Sequence, residues 1–307
     1  MFEKKNTNKK LSFIKEIKQN NSTNNIITSM SIFPSGNIIS VSTNKVITIY
    51  NNNFNILQNI QNSHNDKINY VNIKDENNFV TCSCDKCIKT WIKEEEKFKL
   101  NKIILNAHIS QINKVIYFNE NIISCSNDNT VKVWEENINN NNYQLNLVLN
   151  HLKSVCSILL IKENNIFISS GLNGTRFYNL NNFELIFEIK ETWCGAWNAL
   201  CKIDNDKIIV QEEQNLLLNI ISISEKKIIN KIKCNYISLG IISLDDKGII
   251  LVGVNTNIIL YDNKNDYKFL QYIENAHDNY IIGFQQLKNG LIASYSFDES
   301  IKIWVFN

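Results

Sequence analysis

A hairpin-like segment returns every 41 to 44 residues along this chain, and no other feature restricts the fold as strongly. Short β-branched runs broken by Asn, Asp, Ser and Gly recur as NIISVSTNKVITIY, NFVTCSCDKCIKTW, NIISCSNDNTVKVW, GIILVGVNTNIILY and GLIASYSFDESIKIW. Each reads as a strand, a tight polar turn and a second strand. With the last residues aligned, Tyr50, Trp91, Trp134, Tyr178, Ile220, Tyr261 and Trp304 share a column, at steps of 41, 43, 44, 42, 41 and 43 residues. One such unit cannot bury both faces of its own sheet, so the units must stack on one another. Seven arranged radially leave only short, protected edges.

Three units carry the same four residues in the same register. They are His64, Thr81, Asp85 and Trp91; His108, Ser124, Asp128 and Trp134; and His277, Ser294, Asp298 and Trp304. Each Asp precedes its Trp by six residues, and each Ser or Thr precedes it by ten. In these residues and in its period the chain resembles the WD-repeat (WD40-type) β-propeller family, from about Leu11 to Asn307. The resemblance implies an all-β fold, a seven-bladed β-propeller with four-stranded antiparallel blades. It also implies that each His bridges the turn Asp and the strand hydroxyl, which meets the Trp indole N–H, as a structural tetrad. The other units are worn copies. Blade one has Ser40, Asn44 and Tyr50 but no His, and blade six keeps only Asn255 and Tyr261. Blade four has His151 and Asn173-Gly174-Thr175, one residue short before Tyr178; blade five puts Trp193 in the His column and Ile220 in the Trp column.

The chain stops three residues after Trp304, which leaves the last blade one strand short. Residues 11–17 alternate as a strand would, and in the family such a terminal strand completes the last blade. The ring is then closed by an N-terminal strand, and no open sheet edge remains to recruit other chains. The expected layout is a short tail over residues 1–10 and a single propeller over 11–307.

Composition narrows the function. Lys plus Arg number 32 against 30 Asp plus Glu, a formal charge of +2, so nothing pulls the chain toward nucleic acid. The start, MFEKKNTNKK, has no apolar core of a signal peptide, and no apolar run approaches the roughly 18 residues of a membrane span. No membrane insertion is expected. Eight cysteines without a secretion signal read as reduced thiols, which suits a cytoplasmic or nuclear protein.

Two patterns imitate chemistry. Ser, His and Asp recur together as in a hydrolase triad, but three equivalent copies at equal spacing are structural repeats rather than three nucleophiles. Cys82, Cys84 and Cys87 have zinc-like spacing. Cys82 and Cys125, however, share a repeat column, and Cys87 sits where Thr130 and Ser300 sit. No catalytic residue, metal, cofactor or small-molecule substrate is expected, although Glu212 and Glu213 near the channel keep a propeller enzyme as an alternative. The stretch NINNNNY over residues 137–143 reads as a long polar turn.

Propellers of this family bind protein partners most often on the face that carries the loops leading into each blade. In related propellers the contacts lie three and five residues after the His column and just before the turn Asp. Transferred by column, blades two to four present Lys67, Asn69, Gln111, Asn113, Ser154, Cys84 and Asn127, a polar arc. Blades six, seven and one present Ile237, Leu239, Val254, Tyr280, Ile282, Phe297 and Ile26, an apolar arc with two aromatic rings. Trp193 of blade five is a further candidate, while Trp197 falls in an apolar core column. The expected function is a non-catalytic scaffold or adaptor in a multiprotein complex. A substrate receptor of a ubiquitin ligase is the alternative, weakened because phosphate recognition favours clustered arginines and Arg176 is the sole arginine. A phosphoinositide-binding propeller would need a Phe-Arg-Arg-Gly motif, which the chain does not contain.

Overall fold

The computed structural model describes residues 10–18, 25–137, 139, 141–192, 194–195, 198, 200–212, 215–234 and 237–307. Seven four-stranded antiparallel sheets form a ring. Six are meanders of consecutive strands, running from Ile27–Ile32 through Ile56–Ile60 in blade one to Ser238–Leu244 through Lys268–Ile273 in blade six. The first strands of successive blades touch in a closed cycle around the axis. There they line a cavity of about 290 Å³ that includes Tyr70, Lys114, Asn198 and Tyr295. The Lys114 ammonium lies 3.3 Å from Ser157 Oγ and 4.9 Å from the centre of the Tyr70 ring.

Burial explains which strand goes where. Second strands such as Ile38–Ser42 and Ile249–Val254 are buried along their whole length, between neighbouring blades. Outermost strands alternate; Lys227–Lys233 exposes Lys227, Ile229, Lys231 and Lys233 and half-buries Ile228, Asn230 and Ile232. Lysine along an outer strand also deters edge-to-edge pairing with other chains.

Blade seven is closed as the repeat phase requires. Leu11–Lys18 pairs antiparallel with Ser300–Phe306, placing Leu11 opposite Phe306 and Lys18 opposite Ser300. Leu11 is buried, and the Phe13 ring meets Trp304 edge-on at 5.5 Å. Two main-chain bonds between Lys10 and Asn307 tie off the ends.

A bulge interrupts the innermost strand of six blades. The extra residue is Thr28, Asn69, Asn113, Cys156, Leu239 or Ile282, by turn. A bulge re-aims its side chain sideways. Thr28 Oγ1 donates to Ile68 O at 2.5 Å, Asn69 Nδ2 to Ile112 O at 2.7 Å and Asn113 Nδ2 to Val155 O at 2.8 Å. Each bond fastens one blade to the next. This geometry corrects the column assignment for the position five residues after the His. Ile282 is only 2% exposed and packs with Ile27 and Ile301 between blades seven and one, instead of presenting a face to a partner. Leu239 is half-buried against the core shared by blades four and five, and Asn69 and Asn113 are buried.

Candidate functional site

The three tetrads are alike to within tenths of an ångström. His64 Nδ1 lies 2.9 Å from Asp85 Oδ2 and its Nε2 2.8 Å from Thr81 Oγ1, which accepts the Trp91 indole N–H at 2.9 Å. In blade three the corresponding distances are 2.8, 2.8 and 2.9 Å for His108, Ser124 and Trp134. In blade seven they are 2.8, 2.6 and 2.8 Å for His277, Ser294 and Trp304. An ionised Asp only accepts, so each ring proton sits on Nδ1 and Nε2 accepts the hydroxyl proton. Burial lowers the His64 and His108 pKa values despite the facing Asp, which suits neutral rings. Burial raises Asp85, but bonds from His64 and the Asn65 and Cys87 amides outweigh it and hold the carboxyl at about 2. Asp128 and Asp298 are held well below the usual carboxylate range in the same way. Thr81, Ser124 and Ser294 are fully buried, so no substrate reaches these hydroxyls. The tetrads brace the turn between the second and third strands.

The cysteine cluster takes separate partners. Cys82 Sγ points to Ile112 O at 3.7 Å, Cys84 Sγ to Gln111 Oε1 at 3.2 Å and Cys87 Sγ to Asp85 O at 3.5 Å. Burial pushes all three thiols up, so they stay protonated. Glu212 is a buried carboxylate held by Asn215 and by Asn219 Nδ2, and Glu213 lies outside the described residues.

The WD domain, G-beta repeat family matches residues 55–91 and 99–135. Two WD repeats are thus matched within a chain that is a seven-bladed β-propeller throughout. Each matched stretch takes the outermost strand of one blade and the first three of the next, ending on Trp91 or one residue past Trp134. That offset of one strand is why the last blade borrows its outer strand from the N-terminal segment. No curated protein matches the chain. WD-repeat propellers generally mediate protein–protein interaction without catalysis. Among the described residues no helix is long and apolar enough to cross a membrane.

Exposure differs among the residues of the expected apolar arc. Tyr280 is 48% exposed and Phe297, half-buried, meets it edge-on with ring centres 6.4 Å apart at 90°. Ile237 is exposed; Ile26 is half-buried against the core of blades seven and one, and Val254 is buried. Trp193 and Trp197 lie outside the described residues. In the polar arc Lys67 is exposed, while Cys84, Gln111, Asn127 and Ser154 are half-buried.

Column reasoning missed two groups. Ile109 and Leu152, one residue after their histidines, are each 81% exposed, and Leu105 nearby is almost as open. Both loops are tied to one turn: the Ile109 amide donates to Asp128 and the His151 amide to Asn129 O. The second group surrounds Tyr280. A cleft of about 390 Å³ between blades six and seven is lined by Tyr272, Glu274, Asp278 and Tyr280 with Asn255 and Asn275. The available signal was a comparison of the same loop positions across blades.

Proposed function

We propose that this propeller is a non-catalytic scaffold or adaptor subunit, and that blade seven anchors a protein partner through Tyr280 and Phe297. The carrying observation is a large aromatic ring with about half its surface in solvent, set edge-on against a second ring at the rim of a cleft. Rigid aromatic anchors of this kind dominate protein interfaces. The ubiquitin-ligase receptor reading gains nothing: Arg176 is committed to Glu188 at 2.9 Å and to Asn150 O at 2.7 Å. The eight cysteines are free thiols, which suits a reducing compartment, cytoplasmic or nuclear.

The test is the Tyr280→Ala, Phe297→Ala double variant. It should fold normally and lose its main partner by about thirtyfold or more in affinity, on the order of 2 kcal/mol. Gln111→Ala, in the polar arc, should keep the partner. Undiminished binding by the double variant moves the site off blade seven.

A further inference from the structure

We infer that the cleft beside Tyr280 receives a cationic side chain, lysine or arginine, from the partner's polypeptide; this rests on the reading of blade seven above. The loop backbone comes first. Blades two, three and seven approach their histidine through Gln61-Asn62-Ser63-His64, Leu105-Asn106-Ala107-His108 and Glu274-Asn275-Ala276-His277. The Asn in each has φ near +50°, a left-handed conformation that Asn tolerates, and the following Ser or Ala is buried. The fold therefore fixes the Asn, the small residue and the His. It leaves open the positions five and three residues before the His and one and three after it.

Those four positions differ sharply between blades. Blade three fills them with Ile103, Leu105, Ile109 and Gln111, and blade two with Asn59, Gln61, Asn65 and Lys67. Blade seven alone among these combines two aromatic rings and two carboxylates, in Tyr272, Glu274, Asp278 and Tyr280. All four are exposed and all line the cleft. Neither Glu274 nor Asp278 forms an ion pair among the described residues. Among the described residues no lysine or arginine lines the cleft, and none occurs in the sequence between Lys268 and Lys288.

The Asp278 amide donates to Asp298 Oδ2 at 2.9 Å, so the tetrad anchors the backbone and leaves the Asp278 carboxylate outside it. An ammonium or guanidinium entering here meets two tyrosine rings, whose quadrupoles attract cations, and two unneutralised carboxylates. At roughly 30 Å³ per water the cleft holds on the order of a dozen waters, room for one long side chain. An acidic segment would meet only repulsion.

The experiment uses the full chain and three fluorescein-labelled nonapeptides of Gly and Ser, carrying two arginines, two glutamates or two leucines, read by anisotropy at low salt. The arginine peptide should bind most tightly, and raising the salt should weaken it. Glu274→Gln with Asp278→Asn should weaken it at least tenfold without changing the melting temperature, Tyr280→Ala should weaken it comparably, and Gln111→Ala should have no effect. Equal binding by the double carboxylate variant, or tighter binding of the leucine peptide, overturns the cationic assignment. If the arginine peptide fails while Tyr280→Ala, Phe297→Ala still loses the native partner, the cationic side chain is wrong and the scaffold reading survives. If the native partner is retained as well, both fall.

Discussion

Blades three and four are neighbours with the same strand count, and both open with a buried histidine, but only one uses it fully. In blade three the Cys125–Val131 pair leaves a long turn in which Asp128 reaches His108. In blade four the ladder runs on to Gly171–Gly174, leaving only Leu172 and Asn173 to turn the chain. Gly174 has φ +118°, and a Cβ there would lie 2.6 Å from Ile189 O, so this tight turn depends on glycine. Its shortness holds Asn173 Oδ1 near His151 but outside good hydrogen-bond geometry with Nδ1, although His151 Nε2 still meets Ser169 Oγ at 2.9 Å. Blade four compensates differently. A hydroxyl chain joins Ser170, Thr175 and Thr192 at 2.7 Å per step, and Phe177 stacks on Phe187 with centres 4.0 Å apart. A blade can thus close with part of its buried polar set unpaired, and the tetrad is one bracing device among several.

The largest expected effect asks whether a full tetrad makes a blade self-sufficient. Blade seven has one, yet a quarter of its strands come from the other end of the chain. Deleting residues 1–18 should expose the Ser300–Phe306 edge and uncover Trp304, giving aggregation or a lost cooperative transition. A monomeric truncated protein with an unchanged melting temperature would mean that the tetrad suffices without the latch.

The next sets blade three directly against blade four. Asp128→Ala removes the acceptor for His108 Nδ1 and for the Ile109 and Thr130 amides. Each unsatisfied group costs about 1–3 kcal/mol, so a loss of about 3 kcal/mol is expected in urea unfolding. Asn173→Ala removes only the weak, poorly aligned contact with His151 and should cost far less, about 0.5 kcal/mol. Equal losses would erase the distinction between the two turns.

These contrasts mark how far the residues alone could be read. The ring, the closing strand and the tetrads were legible because their residues recur at fixed columns: an Asp six before a Trp is visible without coordinates. The bulge was not, since Ile282 and Leu239 look like exposed apolar residues until the strand turns them sideways. Their column does carry a polar clue in Thr28, Asn69 and Asn113, all bonded to the next blade. Glu274 and Asp278 escaped notice for the opposite reason: no fold column requires them, so periodicity is silent about them.

A pH titration sharpens the blade-four histidine. Burial first, and then the Arg176 charge, push His151 down to about 4 from 6.5. Its folded pKa lies below its unfolded one, so its contribution is complete above pH 6.5 and is lost as pH falls toward 4, where the unfolded chain takes up the proton first. The tetrad aspartates, already held low, lose theirs only at still lower pH. Between pH 7 and 4.5 the wild type should therefore lose stability, and His151→Gln should lose less, by on the order of 2 kcal/mol. Parallel curves would show that blade four does not hold a neutral, buried ring.

The smallest effect carries the comparison to blade five. Gln211 stands in the column of Cys82, Cys125 and Ser170, the residue after the strand hydroxyl position. Cys125 there is apolar and fully buried within the core of blades three and four. Gln211 is equally buried, but neither Oε1 nor Nε2 has a hydrogen-bond partner among the described residues. Its neighbour Glu212 shows what a satisfied group looks like at this strand end, bonded to both Asn215 and Asn219. A buried amide that makes no bonds has given up water without return, so replacing it by an apolar side chain of similar size should help. Gln211→Leu should raise the unfolding free energy in urea by about 1 kcal/mol, while Cys125→Gln in blade three should lower it by at least as much. A destabilised Gln211→Leu would mean that an ordered water or a neighbouring side chain completes the amide, and that blade five is as fully satisfied as blade three.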